Sequence, residues 1–173
     1  MTRTGFLGLG GNVGDPRAEL QAAVDALPAR GIAVLACSST YATDPVGEVL
    51  DQPPFLNAAV RIATDLGPEA VLDAVQGVEA ARGRVLAGEP GYVRHGPRPV
   101  DVDVLLFGEG WSSARLTVPH PALLERRFAL VPVLELDLDA ATPDGTRLAD
   151  ALAALPLEDG VRRAGPPLRA PAG

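Results

Sequence analysis

The chain has 173 residues, enough for one domain that buries its own core without disulfides or a structural metal. Its net charge is −7, which argues against a nucleic-acid or anionic-membrane surface but leaves room for a small anion held by local arginines. Cys37 is the only cysteine, so no disulfide framework or cysteine-based metal site is available.

Phe6 to Gly10 reads as a first strand, followed by the glycine-rich turn Gly11-Asn12-Val13-Gly14. Asp15 and Pro16 form a helix start, and Leu20, Ala23, Val24 and Leu27 continue at helical spacing. Ile32 to Tyr41 is a second strand, and the proline-rich stretch Thr43 to Pro54 a loop. Phe55 to Thr64 is a third strand. A second helix opens at Gly67-Pro68, carries the stripe Val71, Leu72, Val75 and Val78, and ends at Gly83. Gly83 to Pro97 is a second loop, long enough to suggest a functional role. Val100 to Phe107 is a fourth strand. A turn at Gly108 to Gly110, an extended Leu116 to Val118, helical pieces from Pro121 and Phe128, and a short helix over Leu148 to Leu155 complete the chain. We expect one domain over residues 1–160 and a disordered Pro/Gly-rich tail over 161–173. Strand–helix–strand–strand–helix–strand is the ferredoxin-like α+β order, with helices on one face of an antiparallel sheet and loops on the other. The beginning of the chain lacks the features of a signal peptide and no run reaches membrane-spanning length, so a cytoplasmic location is expected.

The strongest chemical signal is Gly96-Pro97-Arg98-Pro99-Val100-Asp101-Val102-Asp103-Val104-Leu105. Strand alternation puts the valines on one face and Asp101 and Asp103 on the other, about 7 Å apart along the backbone. Two carboxylates that close repel unless cations stand between them, and Mg²⁺ accepts such a pair together with substrate phosphates. A half-exposed strand showing polar residues to water is the alternative. Arg98 favours the metal reading, because Mg²⁺ with Arg is what polyphosphates recruit.

Gly8-Leu9-Gly10-Gly11-Asn12-Val13-Gly14-Asp15 lacks the Lys-Ser/Thr of a Walker loop and the spacing of a dinucleotide fingerprint, so taken alone it reads as a tight strand-to-helix turn. Phe55 and Asn57 share a strand face. Together with Thr43 and Phe128 they could read a flat heterocycle, or the two phenylalanines could be core. His120 and the pair Arg126-Arg127 could hold a phosphate or be solvated. Seven of the 15 basic residues, all arginines, lie between Arg82 and Arg127, with both histidines.

In this order the segments Ser39 to Thr43, Gln52 to Val60, Gly96 to Phe107 and Leu116 to His120 resemble the 6-hydroxymethyl-7,8-dihydropterin pyrophosphokinase family over most of the chain. The resemblance implies a ferredoxin-like αβ fold and transfer of pyrophosphate from ATP to a pterin alcohol, a step of folate biosynthesis. It implies two Mg²⁺ ions on Asp101 and Asp103, with Arg84, Arg94 and Arg98 in the catalytic set. ATP would be bound by Gln76, Glu79, Arg84, Arg98, Arg115, Thr117, His120 and Arg126. Thr43, Val46 and Asn57 would take the pterin edges, and Phe55 and Phe128 its two faces. The substrates would be small molecules, with no nucleic-acid or membrane partner, and the protein a monomer. Leu86 and His95 depart from the family pattern, in a loop expected to act as a lid. A nucleotide phosphohydrolase using the same aspartates, and a ferredoxin-like nucleic-acid module, are the competing readings.

Overall fold

The computed structural model describes residues 1–44, 53–83, 90, 99–157 and 160–172. β1 (Arg3–Gly11) runs through the middle of an antiparallel sheet, between β5 (Asp101–Phe107) and β4 (Phe55–Thr64). On the far side of β4 lie β2 (Ile32–Cys37) and β3 (Thr40–Thr43), and β3 is followed by β8 (Arg162–Gly165). A separate two-stranded ribbon joins β6 (Trp111–Ser112) to β7 (Thr117–Val118). The helices are α1 (Pro16–Ala26), α2 (Pro68–Ala81), α3 (Arg127–Leu136) and α4 (Leu148–Ala154).

The helix limits follow local chemistry. Asp15 accepts from Ala18 N at 3.2 Å and Pro16 opens α1, so the first turn has a side-chain cap and a preset φ. Beyond α2, Gly83 takes φ +87°, a left-handed value that costs glycine little.

Period-two patterning divides the sheet into two faces. Leu7, Leu9, Val60, Ile62, Val102 and Val104 point to the first and pack against Leu20, Val24 and Leu27 of the α1 region and Val71, Val75 and Val78 of α2. The second face was expected to carry only loops. Instead Phe6, Ala59, Leu105 and Leu106 stand there and are covered by Leu123, Leu130, Val133, Leu134 and Leu148. Apolar side chains on that face need burial, so α3 and α4 close half of it and leave the rest as a cleft.

Two other expectations change. The strand expected over 32–41 breaks at Ser38-Ser39: Ser38 Oγ accepts from Ala59 N at 2.9 Å and donates to Ser39 O, while Ser39 N donates to Glu135 at 2.8 Å. Serine hydroxyls and a carboxylate replace the ladder there. The tail expected to be disordered is ordered through 172. β8 pairs with β3, and Leu168 is buried in the first core at 4% exposure. A single apolar anchor and backbone pairing outweigh its Pro/Gly composition.

A β-bulge separates the pairs Phe6–Leu106 and Leu7–Val104, and it presses the Leu106 carbonyl onto Gly5. A Cβ at Gly5 would lie 2.2 Å from that backbone oxygen. Gly5→Ala is therefore expected to destabilise the fold by about 1–3 kcal/mol, the range for forcing atoms into packed space, as read by chemical or thermal unfolding. An unchanged unfolding midpoint would show that the bulge relaxes freely.

Candidate active site

The uncovered half of the second face is a cleft of about 530 Å³. Sheet register brings its parts together. Asp101 stands opposite Gly10, and Gly10 opposite Asn57; one residue pair along, Asp103 stands opposite Gly8 and Gly8 opposite Ala59. Directly opposed residues share a face, so Asp101 and Asn57 are two strands, about 10 Å, apart with only a glycine between. Both aspartates, Gly8, Gly10, Asn57, Thr43, Phe55, His120, Arg126 and Phe128 line this one cleft.

Gly8 and Gly10 act by what they lack. A Cβ on Gly10 would meet Asn57 Oδ1 at 3.2 Å, and one on Gly8 would meet the Leu105 side chain at 3.1 Å. The motif read as a tight turn thus also strips the middle strand of side chains beside the carboxylates. The donor set suits Mg²⁺: two hard carboxylate oxygens beside an open floor leave the remaining positions to substrate and water. Among the described residues no three His, Cys, Asp or Glu side chains stand close enough together to hold an ion by themselves.

At the other end of the row, Asn57 Nδ2 donates to Thr43 Oγ1 at 2.9 Å. That bond turns Asn57 Oδ1 over Gly10 as an acceptor and leaves the Thr43 hydroxyl proton to donate. An acceptor and a donor side by side match the edge of an amino-oxo heterocycle. Phe55, on β4, and Phe128, in the first turn of α3, are both partly exposed in the cleft and absent from either core. Both rings therefore face the cleft in part.

Arg126 reaches from the start of α3 toward Asp103, at 3.9 Å, with its guanidinium 5.5 Å from the Phe128 ring centre. The neighbouring Arg127 also lines the cleft and donates to the carbonyls of Leu155 and Pro156 at the end of α4. His120 Nδ1 accepts from Ala122 N at 3.1 Å, and since a backbone N–H can only donate, the proton of the neutral ring sits on Nε2.

The remaining predicted residues fall elsewhere. Val46, Arg84, Arg94 and Arg98, with the lid expected over 83–97, lie outside the described residues except for Gly83 and Pro90. Gln76 and Thr117 are exposed and do not line the cleft. Arg115 pairs with Asp73 and Glu69 on α2. Glu79, expected near the nucleoside, is 5% exposed and accepts from Val102 N at 2.9 Å, on the strand edge between the two aspartates. Sequence reading missed Asp44, Glu125, Gly160 and Val161, which also line the cleft. Asp44 beside Thr43 and Glu125 beside Arg126 are the positions that could have signalled two of them. A second groove, about 610 Å³, lies along the same face near Arg61, Asp137 and Asp139 and contains none of the predicted residues.

Burial, and next the positive charge of Arg126, hold His120 below its ordinary pKa of about 6.5, against a smaller upward pull from Asp101. The unfolded chain therefore takes up this proton first as pH falls. The group's contribution to stability is full above about pH 6.5 and is lost as pH drops through the depressed value. An NMR titration of the folded protein is expected to give a His120 midpoint below that of His95 in the denatured chain; a midpoint at or above it would refute this.

The family model described as 7,8-dihydro-6-hydroxymethylpterin-pyrophosphokinase (HPPK) matches residues 6–138. A 2-amino-4-hydroxy-6-hydroxymethyldihydropteridine pyrophosphokinase of Pseudomonas aeruginosa is 41% identical over 162 residues, covering 91% of this chain and 94% of that one. The protein of the same name from Methylorubrum extorquens is 45% identical over 157 residues, 90% of this chain and 94% of the other. Among solved structures, a Plasmodium falciparum HPPK-DHPS triple mutant superposes with a TM-score of 0.68 at 12% identity, covering 88% of this chain and 44% of that one, which supports the α+β ferredoxin-like fold. With the matched span running from the first strand through α3, the chain belongs to the 7,8-dihydro-6-hydroxymethylpterin-pyrophosphokinase family.

Proposed function

We infer that this protein transfers the pyrophosphoryl group of ATP to the hydroxymethyl oxygen of 6-hydroxymethyl-7,8-dihydropterin, giving AMP and the pterin diphosphate in folate biosynthesis. Family membership supports the reaction, and one observation ties it to these residues: Asp101, Gly10 and Asn57 stand in a single row across three strands. A carboxylate pair at one end and a heterocycle-reading pair at the other bring two different substrates over the same glycine.

The hydroxymethyl oxygen forms a bond to the β-phosphorus and gives up its proton to water, and the bond from that phosphorus to the α–β bridging oxygen breaks, so the electron pair leaves with AMP. Asn57 Oδ1 and the Thr43 hydroxyl orient the heterocycle edge, and Phe55 and Phe128 fix its plane, which holds the alcohol in one attacking direction. Asp101 and Asp103 would hold two Mg²⁺ ions, whose chemistry is neutralisation and alignment of the polyphosphate oxygens. Arg126 and the Nε2–H of His120 face the same space and can donate to phosphate oxygens. Arg84, Arg94 and Arg98 are assigned to the same task from the family resemblance, Gln76 and Thr117 to the nucleoside, and Arg115 to ATP binding. For Arg115 this requires exchanging Asp73 for the nucleotide. Both substrates are small and diffusible, and the protein acts as a cytoplasmic monomer, without nucleic acid or membrane. No helix among the described residues is long and apolar enough to cross a membrane.

Incubation with ATP, Mg²⁺ and the reduced pterin alcohol is expected to yield equal amounts of AMP and pterin diphosphate. AMP without the pterin product would support a phosphohydrolase instead. Asp101→Asn and Asp103→Asn should each lower kcat by about two orders of magnitude or more with the fold intact, since each removes one hard ligand from a partly exposed face. Near-normal Mg²⁺-dependent turnover in either would refute the metal assignment. Phe55→Ala and Phe128→Ala should each weaken pterin binding by about 1–3 kcal/mol, the value of an aromatic stacking contact, with ATP affinity little changed. Calorimetric titration of each ligand separates the two effects, and equal losses for both ligands would contradict stacking.

A further inference from the structure

The family match ends at residue 138, yet Gly160 and Val161 line the cleft, and the residues after them, through 169, run back along the sheet edge. Their path is anchored at several points. Thr40, Tyr41 and Ala42 of β3 pair with Gly165, Arg163 and Arg162 of β8. Leu168 inserts into the first core, and its N–H donates to Ser38 O at 3.1 Å. From α1, the Arg17 guanidinium donates to the Pro166 carbonyl at 2.8 Å and the Pro167 carbonyl at 3.1 Å. Gln21 both donates to Arg169 O and accepts from Arg169 N, each at 2.9 Å. At the opposite end of the segment, Gly160 and Val161 line the cleft together with Thr43 and Asp44, and a Cβ on Gly160 would stand 3.6 Å from Asp44 Oδ2.

We propose that residues 160–169 are a strap that forms the outer wall of the acceptor end of the cleft and holds β3 in register, making it a specificity element for the heterocycle. This rests on the pyrophosphokinase reading. The sheet order β5-β1-β4-β3-β8 supplies the directional argument. Asp101 and Asp103 stand on one outer strand, with His120 following it in the chain, whereas Thr43 stands on the strand that the strap covers. Without β8, four-residue β3 would be an edge held by three register pairs to β4 and, at its start, by Glu135 of α3, and the Thr43–Asn57 hydrogen bond would sit at its other, free end. Short edge strands fray, and the groups that read the heterocycle would fray with it. The carboxylates on the opposite edge would keep their support from β1 and from Glu79. A strap that acted only on overall stability would weaken both ligands alike.

The test uses the full-length chain. In Arg17→Ala/Gln21→Ala the anchoring hydrogen bonds on α1 are removed and the core is left complete. In Val161→Ala the wall is thinned and every anchor is left in place. For the double variant the KM of the pterin alcohol is expected to rise about tenfold while the KM of ATP moves less than about twofold. Val161→Ala should raise the pterin KM about threefold at an unchanged melting temperature. Calorimetric titration with the pterin alcohol alone should give the same ordering, independent of turnover. Parallel loss for both substrates, or no change in pterin affinity in either variant, would overturn the strap. If the unaltered protein makes no pterin diphosphate, the reaction itself falls and the strap proposal with it. An active parent with unmoved variants sinks the strap alone.

Discussion

The site depends on a steric vacancy in the middle of a sheet. A central strand normally fills both faces with side chains, because each face must be buried or solvated. β1 packs the Leu7 and Leu9 side chains into the first core and brings the side-chain-free Gly8 and Gly10 to the cleft. Glycine inside a strand costs stability through entropy and lost packing, so the arrangement is expensive as a piece of sheet. What it provides is a floor about two strand spacings wide between Asp101 and Asn57, flat enough for two substrates to meet over backbone. Extra Cβ atoms at 8 and 10 would first touch the side chain of Leu105, itself part of the second core, and Asn57.

The first face carries the stability that this vacancy forgoes. Ile32, Ile62, Val71 and Val75 are wholly buried there, and two helices seal it. The second face divides its labour: α3 covers Ala59 and Leu105, then its first turn delivers Arg126 and Phe128 to the cleft edge. α3 is itself pinned to β3 by Glu135, which accepts from Ser39 N, Ser39 Oγ and the Tyr41 hydroxyl. Burial, then that carboxylate, pushes the Tyr41 phenol up to about 12, so it remains a donor throughout the neutral range. The helix that brings one aromatic wall and the strand that brings Thr43 are thereby tied to each other.

How far the sequence reveals this follows from the range of each interaction. Asp101 and Asp103 were readable because period-two alternation with valines is local and survives any packing. Phe55 and Asn57 shared a face for the same reason, but only register could bring them opposite Gly10 and Thr43. The glycine motif was recognised as a turn and its second use missed, since that use depends on which strands flank β1. Glu79 appeared as a nucleoside contact by resemblance. Its bond to Val102 N shows a buried carboxylate occupying the outer N–H of an edge strand, a pairing no spacing rule encodes. The break at Ser38-Ser39 and the docking of the tail were hidden because a side-chain substitute for a ladder bond and a lone leucine anchor are both long-range events. Proline and glycine in residues 161–173 pointed to disorder, whereas Arg17 and Gln21, distant in sequence, decide the outcome.

The charge of the cleft explains how an acidic protein accommodates a polyphosphate. Its described lining includes the carboxylates of Asp44, Asp101, Asp103 and Glu125 against the guanidiniums of Arg126 and Arg127. His120 adds no positive charge near neutrality, because burial and Arg126 disfavour its protonation. Arg127 is engaged with the end of α4, and Arg126 is shared between Asp103 and the face of Phe128. This floor is therefore net anionic and would repel a bare triphosphate. A divalent cation reverses that relation locally, because the carboxylates that repel phosphate oxygens are the ligands that hold the ion facing them. Affinity for nucleotide is then conditional on the cation, and the arginines proposed between residues 84 and 98 add charge from outside the sheet. On the proposed function, an anionic described lining would favour the metal complex of the nucleotide over the free anion, a preference that a uniformly basic cleft would lack.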